Sequence, residues 1–180
     1  LARSRGLGDV YKRQHQVQQV PIEPHISVAW LDSDERLVVR TATQVPFHVR
    51  RMLAPLIGRD IKDVRVIKPR IGGGFGAKQE MLIEDIVAHL AIATRRPVKL
   101  ELDRSEEFIA SRSRHPQTLT FTTGVEDSGK LVSQKLRLIG NTGPYGTHGQ
   151  TVQTVAGLRG LTSYNAENKK FDCDVVYTNT

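Results

Sequence analysis

With 38% hydrophobic and 25% charged residues, the 180-residue chain has the balance of a soluble globular protein and enough apolar mass to core one medium domain or two small ones. No run approaches the roughly 18 to 20 apolar residues of a membrane span, and the basic N-terminus lacks the apolar segment of a secretory signal. The net charge of +7 argues little for nucleic acid: Arg3, Arg5, Lys12 and Arg13 against Asp9 put +3 of it at one end, and no aromatics interleave with the other basic residues.

Residues 1–14 are assigned no structure. Their run Leu7–Gln14 resembles a translated sequencing-adapter read-through, so the stretch is expected to be non-native or disordered, with the folded region at 15–180. Residues 22–31 and 36–42 are rich in Ile, Val, Leu and Trp and predict paired strands about the polar loop 32–35. Pro46 opens a helix through Ile57, with Val45, Val49, Met52, Leu53 and Leu56 at helical spacing and Gly58 as its stop. Val64 and Val66 alternate with charges in a short strand, Asp63 to Ile67. The glycine loop 72–76 follows. Ile83, Ile86, Val87, Leu90 and Thr94 then share one face of a helix, with Glu84, Asp85 and His89 elsewhere. Arg95 and Arg96 suit its C-terminal dipole, and Pro97 ends it.

A strand over 98–102 and a short helix over 105–110 come next. Two long strands between Thr118 and Ile139 are joined at Asp127-Ser128-Gly129, a hairpin signal. A second glycine-rich loop, 140–149, and a strand over 171–178 close the chain. Strand and helix alternate early and strands dominate later, which predicts an α+β fold of mixed sheets with packed helices. Leu1 stands where Met would, and the C-terminus follows directly on a strand-like run, so the chain is expected to be truncated from something longer. The lone Cys173 excludes an internal disulfide framework, suits a reducing compartment and reads as a small buried hydrophobe; a cytoplasmic location is expected.

The segment Arg70-Ile71-Gly72-Gly73-Gly74-Phe75-Gly76-Ala77-Lys78-Gln79 carries the chemistry. Four glycines in five positions let a backbone approach a ligand closely, and free amides ahead of a helix N-terminus would cradle an anion, a pyrophosphate or a metal-oxo oxygen. The P-loop pattern fails, because Gln79 stands where a hydroxyl is needed. The dinucleotide pattern is met literally by Gly72, Gly74 and Ala77, with Glu101 or Asp103 available to a ribose, so a nicotinamide-dependent dehydrogenase is the alternative. Against it, that acid lies about 30 residues on rather than about 20. A basic nucleic-acid module is a third reading.

The run Gly72–Lys78 resembles the G-G-G-F-G-x-K signature of the molybdenum subunits of the xanthine dehydrogenase/aldehyde oxidase family. Further segments resemble that family in its order. They are Ile22-Glu23-Pro24-His25, Arg96-Pro97-Val98-Lys99-Leu100 with Asp103-Arg104-Ser105-Glu106-Glu107, Arg114-His115-Pro116, Asn141-Thr142-Gly143-Pro144-Tyr145-Gly146, and Tyr177-Thr178-Asn179. The likeness covers roughly residues 15 to 180, and six motifs in order are far more specific than one.

The resemblance implies a truncated molybdenum-cofactor-binding domain. Its cofactor would be molybdenum-molybdopterin, possibly in the cytosine dinucleotide form. Its chemistry would be hydroxylation of a purine-like N-heterocycle or an aldehyde with oxygen from water. Electrons would leave through 2Fe-2S clusters to FAD on partner domains or subunits. By the resemblance, Gly73, Gly74, Phe75 and Gly76 bind the cofactor, Phe75 otherwise reading as a core aromatic. Gln18 matches, one residue out of register, a glutamine that approaches the metal; Gln16 and Gln19 lie near. Gln79 matches a substrate-contacting glutamate of purine-oxidising animal enzymes, and as an amide it can still donate and accept to a heterocycle. The purine-binding arginine of those enzymes aligns with Val155, and Arg159 lies four residues later. No catalytic residue and no metal-ligating side chain is assigned. The family's general-base glutamate and a further glycine loop fall beyond Thr180, so the isolated chain is expected to be inactive. Among the other polar residues, His25 and His115 read as structural, His89 as solvated, and Glu23 as either a buried orienter or an ordinary strand carboxylate.

Overall fold

The computed structural model describes residues 6–179. The chain opens on β1 (Gly6–Gln14), and β2 (Val17–Gln18) and β7 (Ser113–Arg114) are two-residue strands where it passes between two compact units. One unit spans Gln18–Arg114; the other joins the residues up to Val17 to those from His115 onward.

In the unit Gln18–Arg114, β3 (Ile26–Leu31), β4 (Leu37–Thr41), β5 (Val64–Ile67) and β6 (Val98–Glu101) form one sheet in the order β5-β4-β3-β6. The β3–β4 and β3–β6 pairs are antiparallel and the β4–β5 pair is parallel. The β3–β4 turn is built by Asp32, whose Oδ1 accepts the Asp34 and Arg36 amides, both at 3.0 Å. Burial alone would raise the Asp32 carboxyl, but those amides and the Arg36 guanidinium outweigh it and hold it below the usual carboxylate range. The predicted strand over 22–31 begins only at Ile26, and Ile22 is exposed.

Helix α1 (Pro46–Leu56) packs on β5 and α2 (Glu84–Thr94) on β3. Between helices and sheet, Ala29, Leu37, Val39, Leu53, Val64, Val87, Ala88 and Ala91 close a core. The expected apolar faces need correction. Met52 and Leu56 on α1, and Ile86 and Leu90 on α2, are exposed, while Glu84 is buried. Alanines supply the buried stripe of α2, so the larger aliphatics are not needed there. Glu84 is satisfied in place: its Oε1 accepts the Thr41 hydroxyl at 2.8 Å and its Oε2 the Leu82 and Ile83 amides. Helix α3 (Arg104–Ala110) opens on a capping box, with Asp103 accepting the Glu106 amide and Glu106 accepting that of Asp103.

In the other unit, β8 (Gln117–Val125) and β9 (Leu131–Asn141) form the hairpin expected from Asp127-Ser128-Gly129, with Gly129 at φ +84. The sheet order is β1-β8-β9-β10, where β10 is Asn168–Val176. The expectation of no structure in residues 1–14 is corrected over 6–14: β1 pairs antiparallel with β8 along its whole length. Residues 1–5 lie outside the described residues. A helix absent from the sequence reading, α4 (Gly149–Thr162), links β9 to β10, which is why those strands run parallel. Its buried positions are Gly149, Gln153, Gly157 and Leu161, one face at four-residue spacing. A Cβ at Gly157 would stand 2.0 Å from the Phe171 ring, so glycine here lets helix and strand approach closely. Cys173 in β10 is half-buried; burial first, then Asp174, pushes its thiol up. No helix among the described residues is long and apolar enough to cross a membrane.

Candidate functional site

The glycine loop leaves β5 and runs through turns to α2, which begins only at Glu84. This corrects the picture of a loop feeding straight into a helix N-terminus. With Ala77 donating to the Gly74 carbonyl at 2.8 Å, Gly74–Ala77 is a closed turn. The dinucleotide alternative fails with it, since that motif needs the helix to start at the glycines. Its acids are engaged elsewhere: Asp103 caps α3, and Glu101 pairs with Lys99 at 2.7 Å.

Loop backbone shape is left-handed at Gly73 (φ +101), Phe75 (φ 52) and Gly76 (φ +94). Phe75 tolerates this at a cost of about 1–2 kcal/mol. It is 64% exposed, which corrects its reading as a core aromatic. Among the described residues the Gly73, Gly74 and Phe75 amides donate to no protein atom, whereas those of Gly72, Gly76 and Ala77 do.

Those neighbours are held by three side chains from the segment before α1. Glu23 accepts the Gly72 amide on Oε1 at 3.2 Å and takes the Lys78 ammonium on Oε1 and on its backbone oxygen, both at 2.8 Å. The Gln44 side chain accepts the Gly76 amide on Oε1 at 3.0 Å, and the Gln44 backbone N–H donates to the Lys78 carbonyl at 2.8 Å. His25 sits with Nδ1 2.8 Å from Glu107 Oε1 and Nε2 3.3 Å from the Ala77 carbonyl, both groups fully or almost fully buried. Each His25 nitrogen faces an acceptor, so the ring is the structural residue expected of it.

Gln18 lies behind this pair. Its Nε2 donates to the Ser111 hydroxyl at 2.7 Å and reaches Glu107 Oε1 at 3.5 Å, while its Oε1 accepts the Val20 amide. Gln18 thus connects to the loop through Glu107 and His25. Among the described residues Gln19 Oε1 is buried with no partner. Gln79 is half-buried directly after Lys78. Val155 and Arg159, both exposed, lie one turn apart on α4. The loop at 140–149 has Gly143 and Gly146 at positive φ, and Asn141 Oδ1 ties Gly143 to Thr178. Among the described residues no group of three or more His, Cys, Asp or Glu could hold a metal ion.

Sequence reasoning missed Gln44, which nothing local marks because it acts on Gly76, 32 residues on; Glu107 stood in a family-like segment, but its role toward His25 was not foreseen.

Residues 9–180 match the molybdopterin cofactor-binding domain family, and the chain belongs to it. It is 43% identical to the probable hypoxanthine oxidase of Escherichia coli over 91% of its own length and 17% of that protein's. It is 33% identical to the nicotinate dehydrogenase large molybdopterin subunit of Eubacterium barkeri, covering 92% of this chain and 39% of the relative. The chain therefore spans well under half the length of these relatives. The quinoline 2-oxidoreductase of Pseudomonas putida superposes with a TM-score of 0.86 at 27% identity, over 99% of this chain and 23% of the other. The aldehyde oxidoreductase of Desulfovibrio gigas, at 23% identity, shares the fold with a TM-score of 0.85 over 99% of this chain and 20% of that one.

The loop fits such a cofactor. Gly74 is buried against Gln44, so a side chain there would fill the cradle, and consecutive amides without protein partners are donors for an oxygen-rich group.

Proposed function

We propose that the chain is part of a molybdenum hydroxylase subunit and holds its cofactor at Gly73, Gly74, Phe75 and Gly76. One observation carries this: among the described residues three consecutive loop amides, Gly73 to Phe75, lack protein partners, while Gly72, Gly76 and Ala77 on either side are hydrogen-bonded and the Lys78 side chain is held by Glu23. Bound there, the molybdenum-molybdopterin group supplies hydroxylation of an electron-poor carbon of an N-heterocycle or aldehyde with oxygen from water. The chain's own work is to bind and orient. The free amides would donate to oxygen atoms of the group, and the closed Gly74–Ala77 turn fixes their direction.

Exposed Phe75 offers an apolar face beside those amides, and Gln79 donates and accepts toward a heterocyclic substrate. Gln18 belongs to the cofactor set through Glu107 and His25, and the orphaned Gln19 oxygen next to it is a second polar group available to the site. The names of the relatives, which act on hypoxanthine, nicotinate and quinoline, support the heterocycle class. The remaining parts of the reading are a cytosine dinucleotide form of the pterin, 2Fe-2S and FAD partners, a cytoplasmic location, and no activity of the 180 residues alone.

The test is molybdenum per protein, by elemental analysis, in the native-length subunit co-expressed with its neighbours, for wild type and Gly74→Val. Near-stoichiometric metal that falls in the folded variant is the expected result. A folded wild type without metal in a cofactor-competent host refutes the reading.

A further inference from the structure

We infer that Glu23 and Lys78 are positioning residues that lock both ends of the glycine loop and so set the direction of its free amides. The Lys78 side chain is fully buried, a poor exchange if only stability were at stake, because desolvating an ammonium offsets most of what an ion pair returns. Its geometry accounts for it differently. One carboxylate oxygen, Glu23 Oε1, takes both the Lys78 ammonium at 2.8 Å and the Gly72 amide at 3.2 Å. The Glu23 backbone closes the same ring, donating to the Gly72 carbonyl at 3.2 Å and accepting from Lys78. A single residue thus ties the first and last positions of the loop together.

The glycines divide accordingly. Gly73 and Gly76 have positive φ and serve the turn itself, whereas Gly72 and Gly74 do not. A Cβ at Gly72 would stand 2.6 Å from Glu23 Cβ, and one at Gly74 would stand 2.4 Å from Gln44 Oε1. Two glycines of the signature therefore make room for the clamps. The inference rests on the cofactor reading only for what the loop holds, not for how the loop is held.

The experiment is residue-resolved amide hydrogen exchange on the 180-residue chain, for Lys78→Met and for Glu23→Leu/Lys78→Met, with molybdopterin retained per native-length subunit as the second readout. The Ala77 amide is the reporter, because its bond to the Gly74 carbonyl involves neither mutated residue; the Val39 amide in β4 is the control. The expected result is at least tenfold faster exchange at Ala77 in both variants, with Val39 in the double variant within twofold of wild type, and pterin retention reduced at least tenfold. The double variant replaces the ion pair with an apolar one, so it keeps the fold but not the lock. Wild-type exchange at Ala77 in the double variant overturns the inference. So does loosening of Ala77 and Val39 in equal proportion, or failure of both variants to fold, since each makes the pair part of the core. A wild-type loop that is protected yet retains no pterin refutes the cofactor reading and leaves the lock standing.

Discussion

Adding one methyl group to Gly74 tests whether the loop and Gln44 form a single packed unit. A Cβ built there would lie 2.4, 2.7 and 2.9 Å from Oε1, Cδ and Cγ of Gln44, distances no real contact tolerates, so Gly74→Ala must expel the glutamine side chain. Expulsion breaks the 3.0 Å bond from the Gly76 amide, worth about 0.5–1.5 kcal/mol. Residual overpacking adds about 1–3 kcal/mol, and stiffening of the unfolded chain returns about 0.4–1 kcal/mol. The net expectation is a loss of about 1–3 kcal/mol. Gln44→Ala alone loses about 1 kcal/mol with the same hydrogen bond. The two losses overlap, so the double variant is more stable than their sum by about 1 kcal/mol or more. Urea unfolding followed by Trp30 fluorescence measures this cleanly, because the chain's one tryptophan lies in β3 of the unit that carries the loop. Additivity within about 0.3 kcal/mol refutes the packing argument.

Three further outcomes follow from other contacts. Glu107→Ala strands His25 in a buried site and costs about 3–5 kcal/mol in the same urea assay, with Glu107→Gln losing less; a change under about 1 kcal/mol contradicts the support that Glu107 gives His25. Gly157→Ala gains about 1 kcal/mol of helix propensity but places a methyl group 2.0 Å from Phe171. The clash wins, so thermal unfolding by far-UV circular dichroism moves down, and Phe171→Leu in the same chain relieves it. At mildly alkaline pH Cys173 alkylates with iodoacetamide more slowly in the folded chain than in urea, because burial and then Asp174 raise its thiol; equal rates contradict that environment.

The parts of this molecule legible in sequence are those governed by neighbours in the chain. The β3–β4 and β8–β9 pairs announce themselves by alternation and by turn residues, and α1 and α2 by helical spacing. Helix α4 was hidden because its buried stripe is glycine, glutamine and leucine, and its glycines look like helix breakers until Thr142 and Phe171 are seen to need the space. Strand β1 has no local signature of its own; β8 supplies the hydrogen bonds that order it. At the site, the glycine run and its family resemblance were readable, as was the structural role of His25. The exposure of Phe75 was not, since an aromatic in an apolar stretch defaults to the core. Gln44 gave no signal, because its partner Gly76 lies 32 residues on, and the role of Glu107 stayed hidden because its partner His25 lies 82 residues back.

The two bonds that fix the loop ends span 49 and 55 residues of sequence, from Glu23 to Gly72 and to Lys78. Chain closure over such distances is slow relative to hairpin and helix formation, and it gains nothing until β3, β4 and β5 have already assembled between the partners. The cradle is thus a late product of folding. Any group that depends on those amides therefore meets them only in the nearly finished fold.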